Sequence, residues 1–235
     1  MPEKITIGAC WDGRDYYPKE YVNNLYQMVR RNTAVPFDFV LYVGPEAEKP
    51  GVCSGIDPAI RIVPSGLPYW WAGTRFWQPA AEGIDTATIL YLDLDVVILK
   101  NIDDIINYPS EFAVSREFPD TPAYSGFCNN GNLGVSLIRN NAGAKVWEEY
   151  LKAGIPTWNP LTTHNRGKLT LAIQTIVNEP EYGIKKDLFP VDWICSYKYQ
   201  VLKRGIPDDC RIVHFHGQPK QNRCLHEEFV KQNWR

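Results

Sequence analysis

The sequence contains no apolar stretch long enough to cross a membrane, no run of Lys or Arg, and no cysteines at C-x-x-C spacing. The first absence excludes a membrane-spanning helix, which needs about 20 consecutive apolar residues. Met-Pro-Glu-Lys leads into an apolar segment too short for a signal peptide, so the chain as given is expected in the cytoplasm. The second absence, with 25 basic residues against 27 acidic ones and a net charge of −2, argues against nucleic acid or an anionic membrane surface as a partner. A small anionic ligand held by a few charges stays open. The third bears on Cys10, Cys53, Cys128, Cys195, Cys210 and Cys224, which are scattered and are expected to behave as small core hydrophobes in a reducing compartment. No compositional break divides the 235 residues, 44% of them hydrophobic, so 1–235 is expected to form a single α/β domain.

What is present is organised around Thr88 to Lys100, T-I-L-Y-L-D-L-D-V-V-I-L-K. Ile89-Leu90-Tyr91-Leu92 is rich in strand formers and too short for a typical helix, which predicts a central strand buried on both faces. Asp93 and Asp95 follow at its carboxyl end. Alternation puts i and i+2 on one face, so both carboxylates address one point while Leu94 turns away. Paired carboxylates suit a hard divalent cation such as Mg²⁺ or Mn²⁺, whose remaining positions substrate phosphates fill. The competing reading is a pair of solvated turn residues or helix caps. The apolar context favours the ion, because two acids beside a buried strand need a partner.

Before that strand, Ile5-Thr6-Ile7-Gly8-Ala9 reads as strand, and Cys10 to Asp15 as a polar loop. Pro18 then suits the first turn of a helix with Val22, Leu25, Tyr26 and Val29 at i, i+3, i+4, i+7. Phe37 to Val43 completes a βαβ unit and predicts a parallel sheet. Ligands of open sheets bind beyond the carboxyl ends of the strands. Trp11, Asp12 and Tyr16 are therefore candidates for a nucleotide site, against the reading of a plain surface loop. Ile60 to Val63 gives another strand, and a helix is expected from Pro68 to Gly83. Its Arg75 matches phosphate geometry, a surface ion pair being the alternative. Trp70, Trp71 and Trp77 crowd this segment and are expected in the core.

After the acidic pair, Val96-Val97-Ile98 continues apolar and Ile102 to Ile105 reads as a short helix. Phe112 to Ser115 and Asn132 to Ile138 read as strands flanking a long irregular loop, of a kind that is usually functional. Asn141 is expected to cap a helix that stops at Gly154, and Gln174 to lie on a helix over 168–178. Near the end, Arg211 to Lys220 reads as a strand closing in a glycine turn. His214 and His216 share a face there, and imidazole is an acceptable Mn²⁺ ligand.

The order of these parts resembles family 8 glycosyltransferases, the glycogenin and lipopolysaccharide galactosyltransferase group of the GT-A fold, over nearly the whole chain. The parts are the first βα loop, Thr74-Arg75-Phe76, Tyr91-Leu92-Asp93-Leu94-Asp95, Asn132-Leu133-Gly134-Val135, a Gln on a later helix, and His214-x-x-Gly217-x-x-Lys220. The resemblance implies a mixed, mostly parallel Rossmann-like sheet flanked by helices. It further implies a hexosyltransferase that uses Mn²⁺ (or Mg²⁺) and moves a sugar from a nucleotide sugar, expected to be a UDP-sugar, with retention. The acceptor would be a hydroxyl of a saccharide, a lipid-linked saccharide or a protein.

By the same resemblance Asp93, Asp95 and His214 hold the metal, with His216 the alternative. Arg75, Leu94, Gly217 and Lys220 meet the diphosphate, and Trp11, Asp12 and Tyr16 the nucleotide. Asp93, Asn132, Gly134 and Gln174 line the sugar pocket, Gln174 and Asn132 acting nearest the chemistry. Tyr124, Phe127 and Trp158 are candidates for the acceptor. Ile173 stands where such enzymes commonly carry Asp, and Gln221 where Pro usually follows the Lys. Two readings of other classes stay open: an idle nucleotide-sugar-binding module, and a metal-dependent nucleotidyltransferase or phosphohydrolase.

Overall fold

The computed structural model describes residues 3–14, 16–67, 69–117, 131–153 and 173–235. Ile5–Trp11 (β1) and Phe37–Val43 (β2) are the expected strands, joined by α1 (Glu20–Asn32). α1 buries Val22, Leu25, Met28 and Val29 on one stripe, and carries Glu20 in its first turn and Arg30 and Arg31 in its last, which complements the helix dipole. β1 and β2 pair in parallel from Ile5 opposite Phe37 to Trp11 opposite Val43, and Ile60–Pro64 (β3) continues the sheet outside β2. On the other side of β1, Thr88–Leu92 (β4) also runs parallel. Leu90 and Leu92 are fully enclosed, each side chain contributing roughly 1.5–3 kcal/mol by its burial.

Val96–Ile98 (β5) and the short helix α2 (Asp103–Ile106) follow, then Phe112–Arg116 (β6) and Gly131–Arg139 (β7). α3 (Ala144–Lys152) comes next, and residues 173–178 are helical (α4). Asp187–Leu188 (β8), Ile194–Ser196 (β9) and Ile212–His214 (β10) complete the strands. The main sheet has seven strands in the order β3-β2-β1-β4-β7-β6-β8, with β7 antiparallel to both neighbours. It is mixed, mostly parallel and flanked by helices, as expected.

Two local expectations are corrected, and one open segment finds its place. Val96–Ile98, which reads in sequence only as apolar, joins a second sheet, β5-β10-β9, antiparallel to β10. The segment before β4 is a 3₁₀ helix over Tyr69–Trp77, shorter than the helix expected to Gly83; Pro79 lacks the N–H to continue it and Ala80 takes a left-handed φ of 49°. Its Phe76 lies on β1 where a Cβ at Gly8 would come within 2.1 Å of the ring. Asn141 does not cap α3: Asn140 and Asn141 both adopt left-handed φ in the turn leaving β7, which Asn tolerates, and Gly143 is the N-cap. Of the helix expected over 168–178, only 173–178 lies within the described residues, and Tyr124, Phe127 and Trp158 lie outside them.

Candidate active site

Because β1 and β4 are parallel neighbours, their carboxyl ends deliver the loop after Trp11 and the Asp93–Asp95 turn to one edge of the sheet. β7, being antiparallel, brings its beginning there, and the second sheet brings the end of β10. Two backbone bonds fix the turn between them: Asp93 N–H donates to Gly134 O (2.8 Å) and Phe215 N–H to Asp95 O (2.7 Å). A cleft of about 680 Å³ opens above this junction.

The acidic pair does converge. Ligand atoms of Asp93, Asp95 and His214 all lie within 4.8 Å of one another. His214 Nε2 is 3.0 Å from Asp95 Oδ1 and 3.7 Å from Asp93 Oδ2. Asp95 Oδ2 accepts from Tyr17 Oη at 3.0 Å and from Lys220 Nζ, which also donates to Phe215 O at 3.1 Å. Asp93 Oδ1 accepts from Tyr91 Oη at 2.6 Å. Gly134 keeps the space clear: a Cβ there would fall 2.4 Å from His214 Cε1 and 2.8 Å from Asp93 Oδ2.

Charges in this cluster answer one another. Burial pushes Asp95 up, but His214 and Lys220 outweigh it and hold the carboxyl well below the usual range. Asp93 is pushed up by desolvation and by the charge of Asp95, against the pull of His214. For His214, burial works against the proton, yet the two carboxylates prevail and the net shift is upward. His216, buried and beside His214, is pushed down to about 4, and burial lifts the Cys10 thiol to about 12, which leaves it without nucleophilic character.

Most residues expected at the site line the cleft: Trp11, Asp12, Tyr16, Asp93, Leu94, Asp95, Asn132, Gly134, Gln174, His214, His216, Gly217 and Lys220. Arg75 does not. Its guanidinium donates to Ser65 O (2.8 Å) and Gln78 Oε1 (2.6 Å) and lies over the Trp147 ring, because the tighter 3₁₀ turn points it at the β3 side. Trp11 borders the cleft, but its indole is in the core, 4% exposed, and its N–H is committed to Tyr17 O at 2.7 Å, so it braces the loop. Tyr16, 56% exposed, is the free aromatic face, with Lys220 Nζ 5.7 Å from its ring. Asp12 accepts from Arg14 N–H at 3.0 Å. Asn132 Oδ1 accepts from Gly134 N–H (2.9 Å) and so orders the entrance to β7. His216 is outside the metal-type cluster; its Nε2 lies 2.6 Å from Ser196 Oγ and its ring stacks on Tyr199.

Three further residues shape the site. Tyr17, through its bond to Asp95, is one; nothing in the sequence says which of Tyr16 and Tyr17 faces the acids. Gln221, fully buried, bridges Leu94 O and Val96 O (3.2 Å each) on either side of Asp95, a bracing that a proline there cannot supply. Glu117, 7% exposed just past β6, accepts from Gln174 Nε2.

Two carboxylates and one imidazole, converging around a space held open by a glycine, form a donor set that fits a divalent cation such as Mn²⁺. No family model matches this sequence, and neither does any curated protein. Solved structures do. A galactosyltransferase LgtC, crystallised with donor and acceptor sugar analogs, superposes with a TM-score of 0.60 at 16% identity, covering 97% of this chain and 93% of that one. The glycosyltransferase GlyE of Streptococcus pneumoniae gives 0.61 at 14% identity over 98% of this chain and 61% of its own. A glycosyltransferase involved in glycosylation of the major capsid of PBCV-1 gives 0.58 at 16%, covering 97% of this chain and 100% of that one. The fold of this chain is the GT-A glycosyltransferase fold.

Proposed function

We propose that this chain, acting as one domain, is a glycosyltransferase that moves a hexose from a nucleotide sugar, a UDP-sugar in the first instance, to a hydroxyl acceptor with retention of configuration. The observation that carries the reading is the Asp93, Asp95 and His214 cluster with Lys220 buried against it, at the edge of the sheet where parallel strands end. Asp93, Asp95 and His214 would hold Mn²⁺ or Mg²⁺, which when bound supplies positive charge to the leaving diphosphate.

Lys220 is the protein's own cation for that phosphate. Its ammonium rests on Asp95 between the rings of Tyr16 and Tyr17, and needs only a short displacement to meet an anion in the cleft. The exposed ring of Tyr16 offers the nucleobase a stacking face. Asn132, Gly134 and Gln174 form the wall on which the sugar is oriented, and Asp93, the more exposed acid, is available to a sugar hydroxyl. Ile173 also lines the cleft and cannot attack, so same-face attack by the acceptor hydroxyl is favoured over a covalent sugar–enzyme intermediate. The acceptor is a hydroxyl of a saccharide, a lipid-linked saccharide or a protein.

The test is incubation with a panel of nucleotide sugars and Mn²⁺, reading free nucleoside diphosphate. Slow hydrolysis of one donor is the expected result. Consumption of nucleoside triphosphates in its place would support a nucleotidyltransferase or phosphohydrolase, and metal-dependent donor binding without any turnover would support an idle binding module.

A further inference from the structure

Gln174 is positioned by two contacts that meet at the same edge of the main sheet. Asn178 on α4 clamps Gly131 at the start of β7, donating from Nδ2 to Gly131 O (2.9 Å) and accepting from Gly131 N–H at Oδ1 (2.7 Å). Gln174 precedes Asn178 by four residues and therefore shares its helix face. Gly131 is the register partner of Arg116, so Glu117 lies one residue past the paired end of β6, where Gln174 reaches it. The bond between them runs from Gln174 Nε2 to Glu117 Oε2.

A carboxamide has two orientations, and a carboxylate, which only accepts, is compatible with one. With Nε2 on Glu117, the carbonyl oxygen of Gln174 is the group left uncommitted by that bond. Gln174 lines the cleft and Glu117 is not among the lining residues; with Nε2 committed to Glu117, the oxygen is the amide group left to serve a ligand there. An apolar or amide residue at 117 would leave both orientations open. The buried acid thus carries information that a clamp like Asn178–Gly131 does not need.

We infer that Glu117 is a positioning residue that locks the Gln174 amide with its carbonyl oxygen toward the donor sugar, where it accepts from a hydroxyl and faces the positive charge that develops as the bond to phosphate breaks. The inference rests on the sugar-transfer reading of the cleft. Misplacing a group at a reacting centre by about 1 Å costs on the order of 100-fold in rate. Glu117→Gln is therefore expected to lower kcat for donor hydrolysis by about 2-fold where the amide only divides between its two orientations and by up to about 100-fold where it also shifts from the reacting centre, with affinity for the nucleoside diphosphate unchanged.

The experiment compares wild type, Glu117→Gln, Gln174→Ala and the double variant, with kcat, KM and thermal midpoint for each. A double variant no slower than Gln174→Ala supports positioning, since Glu117 then acts only through Gln174. Multiplying effects, or a lowered midpoint with full kcat in Glu117→Gln, overturn it. If Glu117→Gln does not fold, Glu117→Asp, which keeps a buried acceptor but shortens its reach, takes its place in the same cycle. A wild-type protein that turns over no donor overturns the sugar-transfer reading itself, and is recognised before any variant is made.

Discussion

Replacing Lys220 by Met should destabilise the metal-free protein and make its stability depend on added metal. Lys220 and Asp95 are almost wholly enclosed, with side-chain exposures of 6% and 7%, and the carboxylate draws its donors from Lys220, Tyr17 and His214. Removing one partner of a buried ion pair costs about 3–5 kcal/mol, because the other charge stays behind. His214 sets where in that range the loss falls. Its proton is bound more tightly in the folded than in the unfolded state, so its contribution is present at low pH and is lost as pH rises through the folded value. Below that value the imidazolium shields Asp95 and the loss lies near the lower figure; above it the loss approaches the upper one. For a chain of this size 1 kcal/mol shifts the thermal midpoint by roughly 2–4 °C, which gives a fall of roughly 6–20 °C. Added Mn²⁺ returns positive charge to Asp95 and stabilises by RT ln(1 + [L]/Kd), about 2.7 kcal/mol at 100 times Kd. In wild type the lysine must first give up Asp95, so the metal should raise the variant's midpoint more. Circular dichroism melts across pH, with and without Mn²⁺, measure both. An unchanged midpoint without metal, or equal gains from Mn²⁺ in both proteins, refutes the reasoning.

Mn²⁺ binding should weaken as pH falls, starting above the ordinary histidine value of 6.5, because the two carboxylates raise His214 and its proton must leave before it can ligate; titrations between pH 6 and 8.5 in the presence of nucleoside diphosphate show the onset. Gly134→Ala should weaken Mn²⁺ by about 10- to 100-fold with the fold kept, since the new methyl presses on His214 and Asp93 without touching their charge; unaltered affinity in a folded variant would remove Gly134 from the site. Arg75→Ala should leave nucleoside diphosphate affinity unchanged and cost about 1.5–3 kcal/mol of stability through the lost bonds to Ser65 and Gln78; weakened nucleotide binding would return Arg75 to the diphosphate.

The Asp93–Asp95 turn was legible because one apolar run and one alternation rule place it, and both are local. The same holds for α1 and β1 to β4. Arg75 was not, since motif order puts it near the acids while the direction of its side chain depends on a 3₁₀ turn that the sequence does not mark. The second sheet escaped because Val96–Ile98 is three apolar residues with no period to read, and only its partner β10, more than a hundred residues later, makes it a strand. Long-range partners explain the missed residues as well. Tyr17 meets Asp95 across 78 positions and Glu117 meets Gln174 across 57, distances over which no local pattern speaks. Gln221 looked like a departure from a motif and is a brace for the acidic turn.

The most direct measurement is release of nucleoside diphosphate from a panel of nucleotide sugars by wild type and by Asp93→Asn, each with Mn²⁺ and with chelator. Asp93→Asn changes the less buried acid by one nearly isosteric atom, so it tests the ion's ligand set with the least disturbance of the Asp95 pair. The expected result is turnover of one donor by wild type with Mn²⁺, abolished by chelator and strongly reduced in the variant. Turnover that survives both chelator and Asp93→Asn, or none with any donor, contradicts metal-dependent sugar transfer at this cluster.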